Sequence, residues 1–240
     1  MWQKIIKQFF CIASLSVTIS SPATAAQDAV EMALTSIGTA PTSEMGKRVL
    51  SLPFTVRNAA YRREALAQLP PNIRHHRITE GKLLRRVEHL IRPVLELHRR
   101  SDKVELYLYQ DKIPLGMLFR ECVLVLSDSL AGTLKDDELI GIVGHELAHA
   151  YFMDEIVAAR KRQDGRAMRA VELECDAVAM ITLRVMGKDP GQLLKGLQRI
   201  TVMSKSKSYQ SSSYWMHPQI AEREEFAQRF IQLLSRTPGE

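Results

Sequence analysis

His145-Glu146-Leu147-Ala148-His149 sets two imidazoles four residues apart, with a glutamate directly after the first. On an α-helix, residues i and i+4 project from one face. Both rings can therefore grip a single metal ion, and the glutamate falls where a metal-dependent hydrolase carries its general base. The pattern needs a helix beneath it, and the flanking residues supply one. Thr133-Leu134-Lys135-Asp136 resembles a capping box. Asp136, Asp137 and Glu138 put negative charge where the helix dipole favours it, and Leu139, Ile142, Val143 and Leu147 form an apolar stripe beside the histidines.

A catalytic zinc ion uses three protein ligands and keeps one position open for water. The third ligand must come from outside this helix. Residues 150–155 contain neither the glycine nor the histidine that a metzincin places there. Attention passes to a second predicted helix over 166–186, closed by Gly187 and Pro190. Its acids Glu172, Glu174 and Asp176 are the candidates. Glu172 and Asp176 stand at i, i+4 and share a face, whereas Glu174 points elsewhere.

In chain order, His145-Glu146-Leu147-Ala148-His149, Glu172-Leu173-Glu174-Cys175-Asp176 and His217-Pro218 with Arg223 resemble the motifs of the CAAX-prenyl-protease-type zinc metallopeptidases, the gluzincin family that includes the HtpX-like peptidases. The resemblance covers roughly residues 80–230. It implies an α+β, mainly helical, zincin-like domain with a small antiparallel sheet beside the zinc helix. It further implies one Zn2+ held by His145, His149 and Glu172, with Glu146 as general base. Asp176 would orient His145 or His149 from behind, Arg223 would hold Asp176, and His217 would donate a hydrogen bond to the tetrahedral oxyanion. Peptide hydrolysis without a covalent enzyme intermediate follows, on an extended substrate added as a strand. Two positions depart from the family pattern: Cys175 stands where a small alanine is usual, and residues 109–118 lack the Asn-Ala-type signature common on the edge strand.

Around this centre, Leu83, Leu84, Val87, Leu90, Ile91, Val94, Leu95 and Leu97 repeat at helical spacing over 79–100, with Pro93 expected to kink the helix. Residues 104–109 alternate as a strand does, and a second extended run reaches Cys122-Val123-Leu124-Val125-Leu126. Asp189 and Pro190 introduce a third helix to about residue 203, and His217-Pro218 introduces a last amphipathic helix through Leu234.

The 240 residues divide into a leader over 1–26, a lead-in with short helices over 27–78, and a metallopeptidase domain over 79–240. Lys4 and Lys7 precede an apolar run over 9–19 and then small residues around Ala25 and Ala26, the pattern of a secretory signal peptide. Ser14, Ser16 and Thr18 interrupt that run, which falls short of the roughly 20 residues a membrane span needs. The mature chain is thus expected in the periplasm. Losing the two lysines lowers the net charge from +6 to +4.

Pairs such as Arg62-Arg63, Arg85-Arg86 and Arg99-Arg100 lack interleaved aromatics and are read as solvated helix faces. They are compatible with a loose attraction to anionic headgroups, and nucleic acid is excluded as a partner. A protein or peptide substrate is the expected partner. Once Cys11 leaves with the leader, Cys122 and Cys175 are expected as two buried thiols. His75, His76, His89 and His98 have no matched carboxylate and are read as surface or helix-face residues. The competing reading is a zinc-containing chaperone or assembly factor whose cleft is plugged by the Ser-rich stretch 204–213.

Overall fold

The helix bearing the two histidines is enclosed on nearly every side, and the rest of the chain is arranged to enclose it. In the computed structural model, residues 22–38, 47, 50–51, 56–205 and 217–235 are described. The elements run α1 (Pro22–Ile37), α2 (Ala59–Ala67), α3 (Pro71–Arg74), α4 (Lys82–Leu97), β1 (Glu105–Tyr109), β2 (Gly116–Phe119), β3 (Val123–Ser127), α5 (Asp128–Thr133), α6 (Asp136–Ala148), α7 (Met153–Arg162), α8 (Gly165–Val185), α9 (Gln192–Lys205) and α10 (Ile220–Ser235). The architecture is α+β and mainly helical. Residues 1–21, most of the expected leader, and residues 206–213 of the Ser-rich stretch fall outside the described residues. Among the described residues, no helix is long and apolar enough to cross a membrane.

The sheet corrects the expected antiparallel arrangement. It is three-stranded and mixed, in the order β1-β3-β2. β1 runs parallel to β3, with Glu105 opposite Val123, and β2 runs antiparallel to it, with Gly116 opposite Leu126. The extended run ending at Leu126 is therefore two strands, folded back at Arg120 and Glu121. Both residues have left-handed backbones (φ 49° and 60°), and Cys122 N–H closes the turn on Phe119 C=O at 3.2 Å. Such turns usually announce themselves by Asn-Gly or Asp-Gly; here neither is present. Side chains from α2 and the residues flanking it hold the unfavourable turn instead. Arg120 lies over the Tyr61 ring at 4.6 Å and bonds Gln68, while Glu121 accepts from Arg57 at 2.8 Å.

Every residue of β3 is buried, because both faces of the sheet are covered. Leu124 and Leu126 join the main core with α4, α6 and α8, while Val123 and Val125 pack with Tyr107, Tyr109, Ala65, Leu69 and Ile73 on the opposite face. The outer cover is α2 and α3. The segment read as a lead-in thus contributes to two cores, since α1 also places Ala29, Val30 and Ala33 fully buried in the main one. Cys122 and Cys175 are free, buried and in separate clusters.

α6 and α8 pack unusually close where the site lies. A Cβ on Gly144 would stand 3.2 Å from the Ala179 Cα, and one on Gly141 would stand 3.1 Å from the Leu193 Cα in α9. The two glycines let neighbouring backbones approach α6 from two sides. The start of α6 is pinned by Glu138, which accepts from Lys135 N–H at 2.9 Å and pairs with Arg199 of α9 through two contacts of 3.0 Å.

Two residues read as surface groups are interior. His98 is 1% exposed, with Nδ1 2.9 Å from the Tyr151 hydroxyl and Nε2 2.9 Å from the Thr182 hydroxyl. Arg100 is fully buried, with its guanidinium 4.5 Å over the Tyr151 ring. This cluster ties the end of α4 and the turn after His149 to α8. Matched hydrogen bonds admit His98 to the core, and the Tyr151 ring covers the Arg100 guanidinium.

Candidate metal centre

α6 and the residue that caps its end deliver His145, Glu146 and His149 together. Their ligand atoms all lie within 4.8 Å of one another, so the three form a group that could hold a metal ion. The imidazoles meet edge to face, with centroids 4.9 Å apart. Across the α6–α8 contact, Glu172 presents Oε2 3.5 Å from His145 Nε2 and Oε1 3.8 Å from His149 Nε2. A tetrahedral ion with bonds of about 2.1 Å holds its donors roughly 3.4 Å apart. The two imidazoles and this carboxylate therefore fit one cation with small adjustments, and Glu146 stands 3.9 Å from His149 on the same side.

Behind His145, Asp176 Oδ1 lies 2.8 Å from Nδ1. Arg223, delivered by α10, donates through Nη1 to both Asp176 oxygens at 2.5 and 2.6 Å and through Nη2 to Glu172 Oε2 at 3.1 Å. One buried guanidinium thus serves both acids of α8. Sequence reasoning assigned it Asp176 alone; its contact with Glu172 depends on where α10 crosses α8, which no local pattern encodes. Glu222 fixes that crossing, accepting from Gln219 N–H at 2.7 Å and pairing with Arg169 of α8 at 3.2 Å. His217, half exposed just before α10, sets Nδ1 3.2 Å from Glu172 Oε2.

The electrostatics suit a cation. Burial lowers the basicity of His145, but hydrogen bonds to Asp176 and Glu172 outweigh it and push its pKa up to about 10. Burial would raise the Glu172 carboxyl, yet hydrogen bonds from His145 and His217 hold it well below the usual carboxylate range. His149, lacking a carboxylate at Nδ1, is lowered by burial to about 4. Burial lifts Glu146 to about 7, opposed by the charge of His145 and by a hydrogen bond from the Leu118 backbone on β2.

Glu174 turns away from this centre, as its position on the helix predicts. It lies in a cleft between α1, α7 and α8 with Ser36, Met32 and Phe152, and burial raises its carboxyl to about 7. The neighbour that sequence reasoning did not place is Cys175, whose Sγ lies 3.6 Å from His149 Nδ1. No protein-family model and no curated protein sequence matches this chain.

Proposed function

We propose that this chain is an exported zinc metalloendopeptidase of the CAAX-prenyl-protease type, with a zincin-like fold, acting on extended or misfolded segments of envelope proteins. The observation that carries the proposal is the Glu172 carboxylate of α8 facing both imidazoles of the α6 motif, with Glu146 beside them. His145, His149 and Glu172 would hold the zinc. When bound, the ion supplies Lewis acidity, bringing the pKa of a water toward about 7 and drawing charge from the peptide carbonyl.

The chain's own groups supply the remaining steps. Glu146 takes the proton from the attacking water and returns it to the leaving amine. His217, with Nδ1 turned to Glu172, offers its other nitrogen to the developing oxyanion. Asp176 fixes the His145 ring, and Arg223 compensates the two buried acids.

The substrate would lie along β2. Ser127 N–H bonds Leu115 C=O at 2.9 Å, which sets the phase of the ladder so that the backbone groups of Gly116 and Leu118 face away from β3, with the Leu118 backbone bonded to Glu146 and the remaining groups turned to an added strand. An extended peptide added at that edge is read through its main chain, so the enzyme would select for unfolded conformation more than for sequence. The partner is a protein or peptide.

Purified mature chain is incubated with casein and Zn2+, with and without chelator. Chelator-sensitive fragments are expected, and Glu146→Gln should retain bound zinc while losing cleavage. Intact casein with the zinc-loaded wild type, or fragments from the Gln variant, would overturn the proposal.

A further inference from the structure

The two histidines of the motif are supported unequally from behind. His145 Nδ1 faces the Asp176 carboxylate at 2.8 Å, itself neutralised by Arg223. His149 Nδ1 faces the Cys175 sulfur at 3.6 Å. Cys175 stands between Glu172 and Asp176 on α8, fully buried in an apolar cluster with Ala148, Met168, Val171 and Val178. For His149 to offer the Nε2 lone pair to a cation, its ring proton must sit on Nδ1. That proton points at sulfur.

We propose that Cys175 is a positioning residue for His149, accepting the Nδ1–H bond that fixes the ring's tautomer and rotation so that Nε2 faces the metal. The inference rests on the metal-binding part of the metallopeptidase reading of the site. The acceptor is a thiol sulfur, fully buried among apolar side chains. Such a sulfur is a weak acceptor, whereas a carboxylate is a strong one. His149 is therefore the more loosely held of the two imidazoles. The geometry supplies what a small apolar residue at 175 could not: a lone pair within reach of His149.

Co2+ serves as the probe, because its visible absorption reports coordination geometry without any need for catalysis. Cys175→Ala and Cys175→Val both remove the acceptor, and valine retains apolar volume if alanine folds poorly. Cys175→Ser restores an acceptor. Affinity for Co2+ should fall about tenfold in the Ala and Val variants, with altered visible bands, and recover to within about threefold of wild type in the Ser variant.

If Cys175 only fills space, the order reverses: Ala and Val would match wild type, while Ser, burying a hydroxyl among apolar side chains, would be the poorest. Wild-type affinity and spectrum in Ala and Val, or Ser ranking below them, overturns the proposal and leaves the peptidase reading intact. Wild-type chain that binds Co2+ with the predicted ranking yet leaves casein whole overturns the peptidase reading alone. Wild-type chain that binds no Co2+ overturns both.

Discussion

Nδ1 of His145 lies 2.8 Å from Oδ1 of Asp176, and the same oxygen receives Arg223 Nη1 at 2.5 Å. A single carboxylate atom thus links an imidazole of the α6 motif to a guanidinium on α10. Asp176→Asn preserves shape but removes the charge and one acceptor, which frees the His145 ring to change tautomer. Metal affinity should fall about 10- to 100-fold, measured by competition with a chelating dye. An unchanged dissociation constant would assign Asp176 to packing.

Arg223 is the cation that faces both buried acids, so its loss should be felt in stability before function. Arg223→Met leaves Glu172 and Asp176 without their common partner, at a cost of about 3–5 kcal/mol. Arg223→Lys should recover little of this, because a single ammonium cannot span two carboxylates as the planar fork does. Urea unfolding without added metal tests both variants. A Lys variant as stable as wild type would show that charge alone suffices.

Helical periodicity made the acids at 172 and 176 readable as one face, and the same periodicity correctly turned Glu174 away. What the periodicity could not give is the partner across the gap. Cys175 meets His149 because Gly144 lets α8 settle against α6, and Arg223 reaches Glu172 because Glu222 and Arg169 fix the α10 crossing. The β2–β3 hairpin was hidden for a different reason: its left-handed turn is held by α2 and the residues flanking it, and not by the residues that normally adopt that backbone. His98 and Arg100 were misplaced because a polar residue at a helix end is ordinarily solvated. Here Tyr151 and Thr182 satisfy the histidine inside the core, and Tyr151 covers the arginine.

Gly144 tests the close helix approach directly. Gly144→Val drives branched carbon into the α8 backbone at a place where a single Cβ already stands 3.2 Å from Ala179 Cα. The gain in helix propensity over glycine, at most about 1 kcal/mol, is smaller than overpacking against a rigid backbone, about 1–3 kcal/mol. A lower urea midpoint is expected, with weaker metal binding as Glu172 moves from the imidazoles. A midpoint at or above that of wild type would mean that α8 yields easily.

His98 gives the fold an acid limit distinct from the metal site. Burial lowers its pKa from 6.5 to about 3, with the charge of Arg100 adding to the effect. A folded-state pKa below the unfolded value means that the native state resists protonation. The associated stability is full above the unfolded value near 6.5 and is lost as pH falls toward 3. The shift corresponds to stability on the order of 5 kcal/mol across that window. Wild-type chain, studied without metal so that ligand protonation does not intrude on metal affinity, should lose stability steeply from pH 6.5 downward. His98→Gln, which keeps hydrogen-bonding groups beside Tyr151 and Thr182 but cannot gain a proton, should be less stable at pH 7 and lose less on acidification. Parallel stability profiles for the two chains between pH 7 and pH 4 would show that other groups set the acid limit.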